Sequence, residues 1–517
     1  MPLPFAFLLS LSLSMTTYPP ATIASLLKQG LAAHQQGRLA EARSFYGQVL
    51  GAEPENFDAL HLMGVLARQG GAPAEAVDLI SAAIAIDAGR AIAHCNLGAA
   101  LQDLHRHEAA LASFERALAL QPDYAIALGN RGNALRQLGQ PEQALASYAQ
   151  ALRLAPANAD VLHNQGIALQ MLGRHAEALD SFERALALKA GHAEAWNARG
   201  VSLQQLGRFA DAEQSYARAL QVKSPFAEAL CNRGTLMQRL GRHDVALADY
   251  DLALQVRPAY ALAHQYRGNT LRALGRNEDA IAAYRKALAC GADAQHLPYI
   301  HYMLATLGAE AAPASPPVQY VRELFDQYAG HFDEHLVDQL HYRTPELLVD
   351  ALRSSLPPGQ LDTLDLGCGT GLCAPLLAPL SASLTGVDLS ENMLAQARRR
   401  GGYTRLACSD IASFLRQCAQ QYDLVVAADV FVYVGELDAV FEGVRAVLRA
   451  GGVFAFSVEA GQDAGVALRE SGRYAHGEAY VRTLAARHGF HIGELSRHAV
   501  RQDKGADIEG YLVVLRG

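Results

Sequence analysis

The stretch Leu361-Asp-Thr-Leu-Asp-Leu-Gly-Cys-Gly-Thr-Gly-Leu372 decides how the C-terminal third of the chain folds. An apolar run ends in an acid, three glycines fall at alternate positions, and a helix-like pattern follows. This reads as a buried strand, a tight turn and a helix N-terminus. Without a Cβ, Gly367, Gly369 and Gly371 let the backbone turn sharply and let a ligand come close. The unpaired N–H groups of the helix start face the same place.

Downstream, strand and helix patterns alternate. Strands are expected at Leu384–Asp388, Thr404–Cys408, Tyr422–Ala428 and Val453–Val458, with helices at Glu391–Arg400, Leu437–Leu448 and Ala479–His488. Two more strands are expected at about Phe490–Arg497 and Tyr511–Leu515. Alternation of this kind predicts a mostly parallel sheet covered on both faces. Ligands of such sheets bind beyond the carboxyl ends of the strands. The glycine loop, Asp388, Asp410 and Asp429 all fall there. The dinucleotide fingerprint Gly-x-Gly-x-x-Gly is not matched, because the spacing here is Gly-x-Gly-x-Gly. Asp365, two residues before the first glycine, suits a cationic ligand without phosphate, such as S-adenosylmethionine. Asp388 is placed to accept both ribose hydroxyls.

On these residues, 361–460 resembles the class I S-adenosylmethionine-dependent methyltransferases. Asp365-Leu-Gly-Cys-Gly-Thr-Gly371 matches that family's first motif. The resemblance implies that Gly367, Cys368, Gly369 and Gly371 cradle the cofactor, with Cys368 supplying its backbone N–H. Gly386-Val-Asp-Leu-Ser-Glu-Asn-Met-Leu394 matches the acidic loop, so Asp388 takes the ribose while Leu389 and Met393 lie against adenine. Ser409-Asp-Ile411 resembles the segment that meets the adenine amino group, here Asp410 beside Ile411. Ala427-Ala-Asp-Val-Phe-Val-Tyr433 matches the motif at the methionine end and substrate, including Asp429. Upstream, Tyr328-Ala-Gly-His-Phe-Asp333 is similar to an aromatic segment that closes over the cofactor, which implicates Tyr328 and Phe332. Methyl transfer from a sulfonium needs placement and water exclusion more than a nucleophilic residue. Where the acceptor carries a proton, His331, Asp429 and Tyr433 are the candidate bases.

The first three hundred residues read differently. Gly30, Gly64, Gly98, Gly132, Gly166, Gly200, Gly234 and Gly268 recur every 34 residues. Twelve residues after each comes an alanine, Ala42 to Ala280, and four further on a large side chain, Tyr46 to Tyr284. Pro54, Pro122, Pro156 and Pro258 stand where a second helix should stop. This resembles the tetratricopeptide repeats: eight helix–turn–helix units over about 23–294, stacked into a solenoid with a concave face. Leu297–Leu307 reads as a capping helix. Asn96, Asn130, Asn164 and Asn232 share one repeat position, and Asn197 slips by one. Carboxamides can both give and take a hydrogen bond from a peptide backbone. The set is similar to the asparagine ladder of the O-linked N-acetylglucosamine transferases. It implies a bound polypeptide on the concave face, with simple repeat duplication as the plainer reading.

The expected organisation is an N-terminal tail over 1–22, repeats and cap over 23–308, a Pro/Ala linker over 309–317 and a methyltransferase domain over 318–517. The fold class is multidomain, an all-α repeat solenoid followed by an α/β Rossmann-like domain. Taken whole, the chain resembles bacterial fusions of tetratricopeptide repeats to a small methyltransferase domain. The tail has no basic residue before Lys28, which favours a disordered stretch or a start at Met15 over a secretory signal. The net charge of −8 is evenly spread, so nucleic acid is not expected as a partner. Seven cysteines without framework spacing suit a reducing, cytoplasmic setting. No membrane span is expected. His331 and His335 flank Glu334 without a third ligand, and Cys368 and Cys373 have no second pair, so no metal is expected. The function implied is an S-adenosylmethionine-dependent methyltransferase whose repeat arm binds a protein partner or protein substrate. The alternative is an inactive scaffold that retains the fold. A glycosyltransferase is disfavoured, because one glycine-loop sheet is too little for two sugar-nucleotide domains. The acceptor, protein or small molecule, is not legible, although 318–356 and Gly461–Gly477 should shape its pocket.

Overall fold

The computed structural model describes residues 18–330, 333, 342–462, 465–503 and 506–517. Residues 1–17 of the expected tail, with the alternative start at Met15, lie outside them, and residues 20–22, expected as tail, are already helical. The chain divides into two compact units, Met1–Pro258 and Ala259–Gly517.

The first unit is all helical. Its helices run in pairs from α1 (Pro20–Gln35) and α2 (Leu39–Ala52) to α13 (Ala227–Arg239) and α14 (His243–Val256). The 34-residue period has a steric cause. A Cβ built at Gly200 on one helix of a pair would lie 2.5 Å from the ring of Tyr216 on the other. The same holds at Gly64, where Ile80 stands 2.5 Å from the missing Cβ. The glycine is therefore the socket for the large side chain sixteen residues on, and both Tyr216 and Ile80 are buried. Pro54, Pro122, Pro156 and Pro258 each sit two residues beyond the end of a second helix.

The second unit contains the eighth repeat, α15 (Ala261–Ala273) and α16 (Asn277–Ala289), then α17 (Leu297–Thr306) and α18 (Val318–Tyr328). After α19 (Thr344–Leu352) comes a nine-stranded sheet. Its parallel core has the order β3 (Arg405–Cys408), β2 (Ser381–Asp388), β1 (Leu361–Leu366), β4 (Tyr422–Ala427) and β5 (Leu448–Ala460). The crossovers are the short α20 (Ala374–Leu377), α21 (Glu391–Arg400), α22 (Ile411–Gln417) and α23 (Asp438–Val447). Alternate residues feed the two faces. Val425, Phe454, Phe456 and Val513 pack with Phe441 and Val444, while Leu424, Val426, Ala455 and Val514 pack with Leu348 and Leu352. β9 (Ala506–Arg516) runs antiparallel to β5 along Val453–Glu459, and β8 (His491–Asp503) pairs with β9, following α24 (Glu478–Arg487).

A hairpin absent from the expectation, β6 (Val466–Leu468) and β7 (Tyr474–His476), joins this sheet. Glu459 pairs with Gly510 of β9 on one edge, so its partner Ala475 of β7 takes the other edge, beyond the end of β4. Residues before the sheet grip this hairpin. Tyr302 of α17 donates to the Gly472 carbonyl at 2.7 Å, and Tyr474 donates to Pro313 O at 2.7 Å. Arg272 reaches the Glu470 carbonyl, and Asn277 reaches its side chain at 3.3 Å. The expected boundary at 308 thus falls inside one packed body, because the eighth repeat and cap are bonded to the sheet's own hairpin.

One repeat departs from the rule for its turn. Gly37, Gly71, Gly139, Gly173, Gly207, Gly241 and Gly275 all have positive φ, and His105 takes that position with φ 56°. A side chain in the left-handed region costs about 1 kcal/mol or more. His105→Gly is expected to stabilise the chain by roughly 1 kcal/mol, read as a higher urea midpoint. Gly200→Val is expected to destabilise it by roughly 1–3 kcal/mol through overpacking against Tyr216, read in the same titration.

Candidate functional site

The glycine loop leaves β1 with Gly367, Gly369 and Gly371 at φ 67°, 53° and 85°. A Cβ at Gly367 would fall on the Val430 side chain, and one at Gly371 would lie 3.0 Å from the Tyr403 ring. Tightness here sets the next contacts. Cys368 N–H donates to Val387 O at 3.0 Å, which ties the loop to the end of β2. Gly369 N–H donates to Asp388 Oδ2 and Ser390 N–H to Asp388 Oδ1, both at 2.9 Å. The Asp388 carboxylate is thereby fixed at the rim. Burial raises its pKa, and the backbone N–H bonds pull the other way.

These residues open into a cleft holding about 720 Å³ of space, part of it open to solvent. Gly367, Cys368, Gly369, Thr370, Asp388, Ala428, Asp429 and Val430 line one part, and Phe325, Tyr342, Pro345, Tyr433 and Arg473 line another. Helix α18 is stitched over the rim. Ser390 Oγ donates to Asp326 and Asn392 Nδ2 to Asp326 O at 3.3 Å, while Thr370 Oγ1 donates to Asp333, beyond the helix.

Three sequence expectations change. Asp365 does not face a cation in the cleft. It is 1% exposed and accepts a 2.6 Å bond from Tyr403 Oη behind the loop. Burial pushes its pKa up to about 7, against the Tyr403 bond. Met393, on the inner face of α21, is fully buried and not offered to a ligand. Asp429 does line the cleft, at φ 55°, but both its oxygens are engaged by Arg501 Nη1 at 2.9 and 2.8 Å. Arg501 also bonds Glu459, and its side chain is almost wholly buried. A carboxylate so engaged is poorly placed to take a proton.

The other expected residues are placed as follows. Tyr433 Oη accepts from Arg473 Nε at 3.4 Å. Asp410 caps α22 by accepting from Ser413 N–H at 2.9 Å, and Ile411 packs on the core beside it. The Leu389 carbonyl meets the Cys408 thiol. Leu389, Asp410, Ile411 and the exposed Tyr328 lie outside the cleft lining. His331 and Phe332, with Glu334 and His335, fall outside the described residues. In the repeats, Asn232 donates to Asn197 at 3.0 Å, and Asn96 bonds His61 at 2.9 Å, each bridging neighbouring repeats. Asn130 and Asn164 are half-buried.

The fit to a nucleoside sulfonium rests on this geometry. A rim carboxylate held by two N–H groups keeps lone pairs for a diol, and Gly367 and Gly369 bring backbone without a side chain to the cleft. Arg473, Arg501 and Tyr403 were not found from sequence, since each acts across a long separation.

The raised pKa of Asp365 makes a prediction. The protonated form is favoured in the fold, so this stability is fully present below about pH 4 and is lost as pH rises through about 7. Asp365→Asn should therefore gain stability relative to wild type between these limits, by a few kcal/mol at most, and hold a constant difference above them. Thermal midpoints of both proteins across that range check this, and a difference that does not grow with pH would refute it.

Comparison with known proteins agrees with the two halves. A methyltransferase domain model matches residues 364–454, and tetratricopeptide-repeat models match within 33–295. A malonyl-(acyl-carrier protein) O-methyltransferase of Enterobacter lignolyticus is 32% identical over 145 residues, 28% of this chain and 55% of that protein. The Geobacter sulfurreducens protein of the same name is 35% identical over 143 residues, 27% of this chain and 52% of that one. The chain thus spans about half the length of these curated relatives. A tetratricopeptide repeat protein from Parabacteroides merdae aligns over 48% of this chain and 99% of its own, at 18% identity and TM-score 0.41. The chain is a tetratricopeptide-repeat protein that carries a methyltransferase domain.

Proposed function

We propose that the chain is an S-adenosylmethionine-dependent methyltransferase acting in the cytoplasm, and that its repeat arm binds a polypeptide, either partner or substrate. The observation that carries the reading is the Asp388 carboxylate, fixed by Gly369 and Ser390 N–H at the rim of a glycine loop. S-adenosylmethionine supplies an activated methyl on a cationic sulfur. Asp388 would hold the ribose hydroxyls, and Gly367, Cys368 and Gly369 would present backbone to the ligand. Leu389, Asp410 and Ile411, at the ends of β2 and β3, would meet the adenine. Val430 and Asp429 would bound the methionine end, with Asp429 held in its left-handed turn by Arg501. Phe325, Tyr342 and Tyr433 would exclude water from the transfer.

The curated relatives are named as O-methyltransferases, which favours oxygen as the acceptor atom. The half-buried asparagines Asn96, Asn130, Asn164, Asn197 and Asn232 support the polypeptide reading, although Asn96, Asn197 and Asn232 already spend a bond between repeats.

Calorimetric titration of S-adenosylmethionine into the full chain tests the reading. Micromolar binding is expected, weakened roughly tenfold or more by Asp388→Ala through loss of charge-assisted hydrogen bonds. A folded wild-type chain that binds no S-adenosylmethionine would sink the enzyme reading and leave the scaffold.

A further inference from the structure

This inference deepens the methyltransferase reading and rests on it. Beyond the glycine loop, the cleft is walled by Phe325, Tyr342, Pro345, Tyr433 and Arg473. Four of these are aromatic or apolar, and one is a cation. The Arg473 guanidinium has no carboxylate partner among the described residues. Its polar contact is the 3.4 Å bond from Nε to Tyr433 Oη, and its guanidinium carbon lies 6.0 Å from the Tyr433 ring centre. That ring in turn meets Phe325 edge-on at 5.1 Å.

The nearby acids are already committed. Asp429 is held bidentately by Arg501, and Glu459 is shared by Arg501 and by Arg469, the latter at 3.5 Å. Three guanidinium groups therefore face two carboxylates, and the surplus charge is the one that lines the cleft. A half-buried cation without an ion-pair partner is costly, and the Tyr433 ring offsets that only in part, so an anion that joins it is favoured. Arginine's planar fork fits a carboxylate.

The position of Arg473 is also built rather than incidental. It lies between Gly472, whose carbonyl accepts from Tyr302, and Tyr474, whose hydroxyl donates to Pro313 O. Two residues further, His476 Nε2 bonds the Val434 and Gly435 carbonyls at 3.0 and 2.9 Å, which ties the hairpin to the turn that carries Tyr433.

We propose that Arg473 recognises a carboxylate on the methyl acceptor, and that this carboxylate is the group methylated. The chemistry closes without a base. A carboxylate oxygen at neutral pH has no proton to lose. Its lone pair forms the O–CH3 bond, the S–CH3 bond breaks, and the bonding pair stays on sulfur as a neutral thioether. The anionic acceptor becomes a neutral ester. This agrees with the engagement of Asp429 by Arg501, which leaves that acid no role as a base. It also gives a route to release, since the ester no longer matches Arg473.

A carboxylate has a second possible source, the amino-acid end of S-adenosylmethionine itself, and the test separates the two. Wild-type full chain, Arg473→Gln and Arg473→Lys are first titrated calorimetrically with S-adenosylmethionine. Each is then saturated with S-adenosylhomocysteine and probed by saturation-transfer NMR with monoethyl malonate and with its neutral diethyl ester. The expected result is unchanged S-adenosylmethionine affinity in all three proteins. Saturation of the monoester but not the diester is expected on wild type, lost in Arg473→Gln and partly kept in Arg473→Lys. Retained cofactor affinity also shows that the variants are folded. A roughly tenfold or greater loss of S-adenosylmethionine affinity in Arg473→Gln would assign Arg473 to the cofactor's carboxylate and overturn the acceptor assignment. Equal monoester binding by wild type and Arg473→Gln, or none by a wild type that binds S-adenosylmethionine, would also overturn it. A wild type that binds no S-adenosylmethionine would fail the underlying reading instead.

Discussion

At Gly367 and Gly371 the turn after β1 has no room for a side chain. Val430 fills the place where Gly367 would carry a Cβ, and Tyr403 closes on Gly371. Every other part of the site follows from that constraint. With the loop drawn in, Cys368 reaches the end of β2, and Gly369 reaches the carboxylate that ends it. Among the described residues the acid's hydrogen bonds come from backbone N–H groups, so its position depends on the sheet more than on rotamers of neighbouring side chains. Asp365 supports the turn from behind through Tyr403. One strand thus carries, one residue before its end, an acid that braces the loop, and its neighbour ends in an acid that lines the cleft.

Opposite signs of charge are partitioned with similar economy. Arg501 comes from β8, two strands away from β5 across β9, yet it is the residue that neutralises both Asp429 and Glu459. A buried arginine between two carboxylates is a weak source of net stability, because desolvation offsets much of the attraction. Its effect here is geometric. It fixes Asp429 in a left-handed conformation that a side-chain-bearing residue adopts only under constraint, and this sets the floor of the cleft beside Val430.

The repeats were legible because a steric socket recurs. Each glycine must meet a ring or large aliphatic sixteen residues later, and such a pair leaves its mark at a fixed interval. The parallel core of the sheet was legible for a related reason, since Tyr422–Ala427 and Val453–Val458 are buried on both faces and read as apolar runs. The hairpin β6–β7 was not. Its strands have three residues each, too few to show a period, and it is held by a few bonds to the end of β5 and to Tyr302. β8 and β9 proved longer than their apolar stretches, because their outer halves, His498 to Asp503 and Ala506 to Gly510, are mostly polar and pair with each other. Arg501 sits in that polar half, so nothing in the pattern marked it as buried. Tyr403, Arg473 and Arg501 share this obscurity, since each is defined by a partner 38 to 72 residues away or by a turn of chain beyond the motifs.

The seam at Tyr302 and Gly472 bears on how such a chain can be recombined. Proline-rich connectors look like natural points of exchange, and Pro313, Pro316 and Pro317 mark one here. Yet Pro313 and Ala314 lend their carbonyls to Tyr474 and Glu436, while the rings of Tyr299 and Tyr302 pack at a tilt against Tyr320 on the other side of the connector. A graft of this sheet onto a foreign partner at the prolines would leave the hairpin that carries Arg473 without its clasp. The compact unit that holds the sheet begins at Ala259, one repeat earlier than the change in composition, so the eighth repeat travels with the methyltransferase domain.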